Sequence, residues 1–121
     1  MSQSPIFPEA LRARTVTWHD PSSVAASFGG LSGLQIMQRI RDGELPPPPM
    51  ASLIGFRCVL AEPGEIGMQL EYDHSLKNSM GMLHGATAAA MLETAVGAAA
   101  HTMLPRLGRA PGEQAAQAPQ N

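Results

Sequence analysis

The chain of 121 residues sets eight Lys and Arg against ten Asp and Glu, a near balance that leaves no basic field to hold a nucleic-acid backbone. Three Phe, one Trp and one Tyr are too few for a base-stacking platform, and the single cysteine, Cys58, excludes an internal disulfide and fits a reducing compartment. The length suits one domain, no run approaches the ~18 apolar residues that span a bilayer, and MSQSPIFPEALRAR lacks the apolar stretch of an export signal, so a soluble, cytoplasmic protein is expected, with neither nucleic-acid nor membrane partners.

Residues 1–30 are rich in Ser, Pro and polar residues without clear periodicity and read as a peripheral arm, with at most a short helix near Glu9 to Arg14 and with Trp18 as its anchor. Ser32 and Gln35 match a capping box, Leu34, Met37 and Ile40 supply an apolar stripe, and Asp42-Gly43 gives a stop, which predicts a helix of about three turns. The run Pro46 to Pro49 is then extended. Phe56, Cys58 and Leu60 alternate with Arg57 and Val59, and Ile66, Met68, Leu70 and Tyr72 alternate with Gly67, Gln69 and Glu71. Between them, Pro63-Gly64 suits a type II turn, so the stretch predicts a β-hairpin.

After a polar loop, Asp73 to Ser79, the longest helical pattern runs from about Gly85 to Met103. Ala88, Met91, Leu92, Ala95, Val96 and Ala99 share one face, which is expected to lie on the sheet. Glu93 falls about 140° around from Ala88, among Ala86, Ala89, Ala90 and Gly97. A stripe this small lets a second helix or a ligand approach. Beyond Leu104-Pro105 the composition turns to Ala, Gln, Gly and Pro, and residues 106–121 read as a disordered tail.

His19, His74, His84 and His101 form no His-x-x-x-His pair, and no Cys-x-x-Cys pair occurs, so no metal site and no cofactor are expected. A serine-hydrolase elbow, a Walker loop and a dinucleotide fingerprint are all missing from the sequence. Cys58 reads as a small buried hydrophobe. His84-Gly85 admits two readings. Glycine serves the turn into the helix, or the backbone N–H of Gly85, among the unpaired donors at the positive end of the helix, polarises a carbonyl oxygen. Glu93 is either a partly exposed helix carboxylate or a general base or nucleophile. Eight residues along a helix separate the two by about 12 Å, so one carbonyl cannot touch both in one subunit. In an antiparallel dimer, Gly85 of one copy faces Glu93 of the other, giving two equivalent sites.

Asn78-x-x-Gly81-x-x-His84-Gly85, with Glu93 nine residues after His84, resembles the hotdog-fold acyl-CoA thioesterases, in the branch that includes the phenylacetate-degradation, dihydroxynaphthoyl-CoA and 4-hydroxybenzoyl-CoA thioesterase-like enzymes. The likeness also takes in GLSGLQIMQRIRDGELPPPPMASLIGF and the hairpin around EPGE. It implies an α+β hotdog fold over residues 31–105, an antiparallel sheet wrapped around a long central helix, in a homodimer or homotetramer. It also implies hydrolysis of an acyl-CoA to a free acid and coenzyme A. By the same resemblance Gly85 polarises the thioester carbonyl, Glu93 is the base or nucleophile, Asn78 positions substrate or water, and His84 orders the loop. Three departures stand out: Ala86 in place of a second Gly, Gly97 where several members carry a hydroxyl, and no strand pattern after Pro105. The C-terminal strands are therefore expected to be missing. The alternative is a catalytically inactive remnant or a partner-dependent subunit, poorly folded alone.

Overall fold

The computed structural model describes residues 11–104. Glu9 and Ala10 of the expected arm helix, and the tail at 106–121, lie outside the described residues. The described part is α+β, with a two-stranded antiparallel sheet and one long helix.

Residues 11–20 have no regular structure, so Leu11 to Arg14 do not form the expected helix. Trp18 is 61% exposed and does not anchor the arm. Arg14 does so instead, donating to the Leu53 carbonyl at 2.7 Å and to the Ser75 hydroxyl at 3.1 Å. Asp20 caps a short helix, α1 (Pro21–Val24), by accepting from the Ser22 N–H, and a 3-10 turn, Ala25–Phe28, follows.

The next helix, α2 (Gly33–Arg41), has the predicted reciprocal capping box. The Gln35 N–H donates to the Ser32 hydroxyl, and the Ser32 N–H donates to the Gln35 side chain. It ends as predicted, with Gly43 at φ 81°. Pro46 to Pro48 carry no regular structure, but Pro49 opens a helix that the periodicity did not predict, α3 (Pro49–Ile54). Proline suits a first helical position, where its missing N–H costs nothing, and Gly55 at φ 99° provides the left-handed exit.

The predicted hairpin is formed by β1 (Phe56–Glu62) and β2 (Glu65–Leu70), joined through Pro63-Gly64 with Gly64 at φ 73°. Phe56 pairs with Leu70 and Glu62 with Glu65, but the register shifts between Cys58 and Leu60. This bulge corrects the predicted alternation. Phe56 and Cys58 point inward, whereas the inward role expected of Leu60 passes to Ala61, which is fully buried while Leu60 is exposed.

The long helix, α4 (Gly85–Thr102), ends one residue short of the predicted span. Its packed face differs from the expected one by about a quarter turn. Thr87 and Thr102 are buried and Ala90, Met91, Thr94, Ala95, Ala98, Ala99 and His101 half-buried, so Met91, Ala95 and Ala99 of the expected face are packed, whereas Ala88 is exposed and Leu92 and Val96 are 64% and 67% exposed. Close approach decides this orientation. The Thr102 hydroxyl donates to the Ala99 carbonyl and accepts from the Gly64 N–H at 2.8 Å, fixing the hairpin turn to the end of α4. On the other side, α2 crosses so near α4 that a Cβ at Gly33 would lie 2.1 Å from the His101 carbonyl oxygen. Both contacts fall on the side of α4 that carries His101 and Thr102, and that side becomes the packed one.

Gly33→Ala is accordingly expected to destabilise the fold by about 3 kcal/mol through overpacking, against a helix-propensity gain of at most ~1 kcal/mol. Urea denaturation should register it as a lowered midpoint with unchanged slope. An unshifted midpoint would place the two helices farther apart.

Candidate functional site

The loop entering α4 is held by short-range polar contacts. Asp73 caps a 3-10 turn, His74–Leu76, by accepting from the Ser75 hydroxyl and N–H, and these bonds hold its carboxyl below the usual range. The His84 N–H then donates to the Leu76 carbonyl at 2.8 Å, while Lys77 and Leu83 form an isolated antiparallel bridge.

Asn78 organises the tip between them. Its side-chain oxygen accepts from the N–H groups of Met80 at 3.0 Å and Met82 at 3.1 Å, and its own N–H donates to the Met82 carbonyl at 2.7 Å. Gly81 adopts φ 81°, the left-handed conformation the tight turn needs. The spacing Asn78-x-x-Gly81 therefore has a structural role, the hydrogen-bonded turn that delivers the chain to the helix start.

His84 is the N-cap of α4. Its Nδ1 accepts from the Ala86 N–H at 3.2 Å, which places the proton of the neutral ring on Nε2. Its carbonyl accepts from the Thr87 N–H at 2.9 Å. Gly85, between these bonds, has a backbone N–H with no partner among the described residues. A Cβ built on Gly85 would meet no atom within 4 Å. The junction thus carries one backbone donor without a partner among the described residues, beside room for a side chain at Gly85, at the end of the helix where the aligned peptide dipoles are positive.

Glu93 lies on the exposed arc of α4 with Gly85, Ala86, Ala89, Leu92, Val96 and Gly97. Its carboxylate makes no hydrogen bond or ion pair among the described residues. The structure brings together Asn78, His84 and Gly85 in one loop-to-helix junction and leaves Glu93 about two helical turns away on the same open side.

A cleft of about 300 Å³ adjoins the junction, bounded by Met50 and Ile54 of α3, Leu76, His84, Ala86 and Ala90. The contribution of α3 was missed in the sequence. Pro49 and Gly55, bracketing MASLI as a helix start and exit, are the signal that identifies it.

Cys58 is buried, and its thiol donates to the Leu60 carbonyl at 3.4 Å. Burial pushes the thiol's pKa above its ordinary value, so at neutral pH the side chain is an unactivated hydrophobe. Alkylation by iodoacetamide at pH 8 is expected to be at least ~10-fold slower in the folded chain than in urea. Equal rates would contradict the burial. Because folding favours the protonated thiol, this contribution to stability is full below the unfolded-state pKa and fades as pH rises through the higher folded-state value.

Among the described residues, no group of three or more His, Cys, Asp or Glu is placed to hold a metal ion, and no helix is long and apolar enough to cross a membrane. No known protein family, curated protein or solved structure matches the chain significantly.

Proposed function

We propose that the chain is a subunit of a hotdog-type acyl-CoA thioesterase whose sites form between two antiparallel copies of α4. The observation that carries this reading is the helix start, where the N–H of Gly85 and the carboxylate of Glu93, both without a partner among the described residues, share the exposed, small-residue side of α4. Two copies related by a two-fold axis bring each Gly85 opposite the other's Glu93. The thioester carbonyl oxygen accepts from Gly85, and Glu93 of the second copy takes a proton from water as the water oxygen attacks the carbonyl carbon. Collapse of the intermediate breaks the C–S bond. The protonated Glu93 passes its proton to the coenzyme A thiolate, which restores the carboxylate, and the acyl group leaves as a carboxylic acid. Asn78 and His84 hold the loop and the N–H in place.

The test is release of free coenzyme A from aliphatic and aryl acyl-CoAs by the purified chain, with Glu93→Gln as control. Release that is saturable and lost in the variant supports the reading, and no release from any substrate overturns it.

A second reading, a subunit without turnover of its own, is favoured by the bare apolar side chains of Leu92 and Val96 and by the mere two strands that cover α4 among the described residues. It predicts that the chain acquires a cooperative melt only with a partner and stays inactive in that complex.

A further inference from the structure

Away from the helix start, a chamber of about 350 Å³ lies between α1, α2, the proline run, the hairpin and α4. Core side chains build its inner wall: Ile36 and Phe56 are 5% and 3% exposed, and Cys58 is buried with Phe56 on the inward face of β1. Met68 of β2 and Ala98 of α4 add to the same wall. Protein interiors hold few voids larger than one water, and an apolar cavity of about 150 Å³ already stays dry and binds benzene. A chamber more than twice that size, with mainly apolar walls, gives water few partners and leaves room for an apolar guest.

Charge decides which guest. No Asp, Glu or Lys lines the chamber. Arg57 borders it, but its guanidinium donates to the Gln69 side chain at 3.2 Å, and both residues lie exposed on the outer face of the hairpin, opposite Phe56 and Cys58. His19, His101 and Thr94 offer hydrogen bonds without a fixed charge. An ionised head carried inside would therefore lose its hydration without meeting a counter-charge, whereas a neutral apolar body gains by leaving water.

We propose that this chamber binds a neutral apolar molecule of the size of an alkylbenzene, held against Ile36, Phe56, Met68 and Ala98, and rejects anions and cations built on the same body. The site is separate from the helix start, since none of Asn78, His84, Gly85 and Glu93 lines it. Cys58 is the chain's sole cysteine and sits in the chamber wall, so its alkylation reports occupancy.

Butylbenzene, 4-phenylbutyrate and 4-phenylbutylamine share one apolar body and differ in charge. Each is titrated into the full chain at pH 8 by calorimetry, while the alkylation of Cys58 by iodoacetamide is followed in parallel. Butylbenzene should bind saturably, one molecule per chain, and slow the alkylation with the same midpoint. Both ions should bind at least ~10-fold more weakly, because an unpaired charge in the chamber forfeits its hydration. Ala98→Leu, checked for parental secondary structure by circular dichroism, should weaken butylbenzene by filling the chamber, whereas Leu92→Lys, on the exposed side of α4, should keep the parental affinity. Cys58 protection in the parent chain decides the matter even if the leucine variant misfolds. Absence of saturable butylbenzene binding, an ion that binds as tightly, alkylation unchanged at saturating butylbenzene, a folded Ala98→Leu variant of parental affinity, or binding lost in Leu92→Lys would each overturn the proposal.

Discussion

Glu93→Gln is expected to lower acyl-CoA hydrolysis by at least ~10²-fold, the lower range of what a positioned general base contributes. Glutamine keeps the shape of the side chain and removes only its ability to take a proton from water. The fold should not register the change, because Glu93 is exposed and has no partner among the described residues. A lost rate in a variant with a parental melting curve therefore reports chemistry. Turnover within threefold of the parent across the same acyl-CoA panel would remove Glu93 from the mechanism.

Gly85→Pro is expected to cost roughly 10²–10³ in turnover, the scale of one oxyanion donor. Three features let proline delete the N–H without disturbing the backbone. The group has no partner to lose, a first helical position suits proline, and His84, at φ −67° and ψ 131°, already has the extended conformation required of a residue before proline. Gly85→Ala is the matched control. It keeps the N–H, and its Cβ meets no atom within 4 Å, so it should keep most of the activity if the donor is what matters. Equal rates in the folded proline variant would show that the carbonyl is polarised elsewhere.

Local chemistry was legible wherever it rests on neighbours in sequence. The Ser32–Gln35 capping box, the Pro63-Gly64 turn and the start of α4 at Gly85 can all be read from residue types a few positions apart. Long-range packing was not. The sequence ranks Leu92 and Val96 as core because they are large and apolar, yet the choice of packed face is made by the closeness of Gly33 to the His101 carbonyl and by the Thr102–Gly64 bond. The bulge after Cys58 reverses the inward roles of Leu60 and Ala61 for the same reason, since a single inserted residue leaves no mark on composition. At the site, Gly85 and His84 were legible as a helix start. The hydrogen-bonding role of Asn78 was not, because it depends on the turn placing the N–H groups of Met80 and Met82 around one oxygen.

The central claim is that each site takes Gly85 from one copy and Glu93 from the other, and it is tested most directly in a dimer built from two inactive chains. Gly85→Pro and Glu93→Gln chains with different affinity tags are co-expressed, and the mixed dimer is isolated by tandem purification. In that dimer one site holds both substitutions and the other holds neither, so the account predicts recovery of about half the parental turnover per dimer, from two chains that are inactive as homodimers. A mixed dimer as inactive as either parent homodimer would contradict it, because each site would then draw both groups from a single chain.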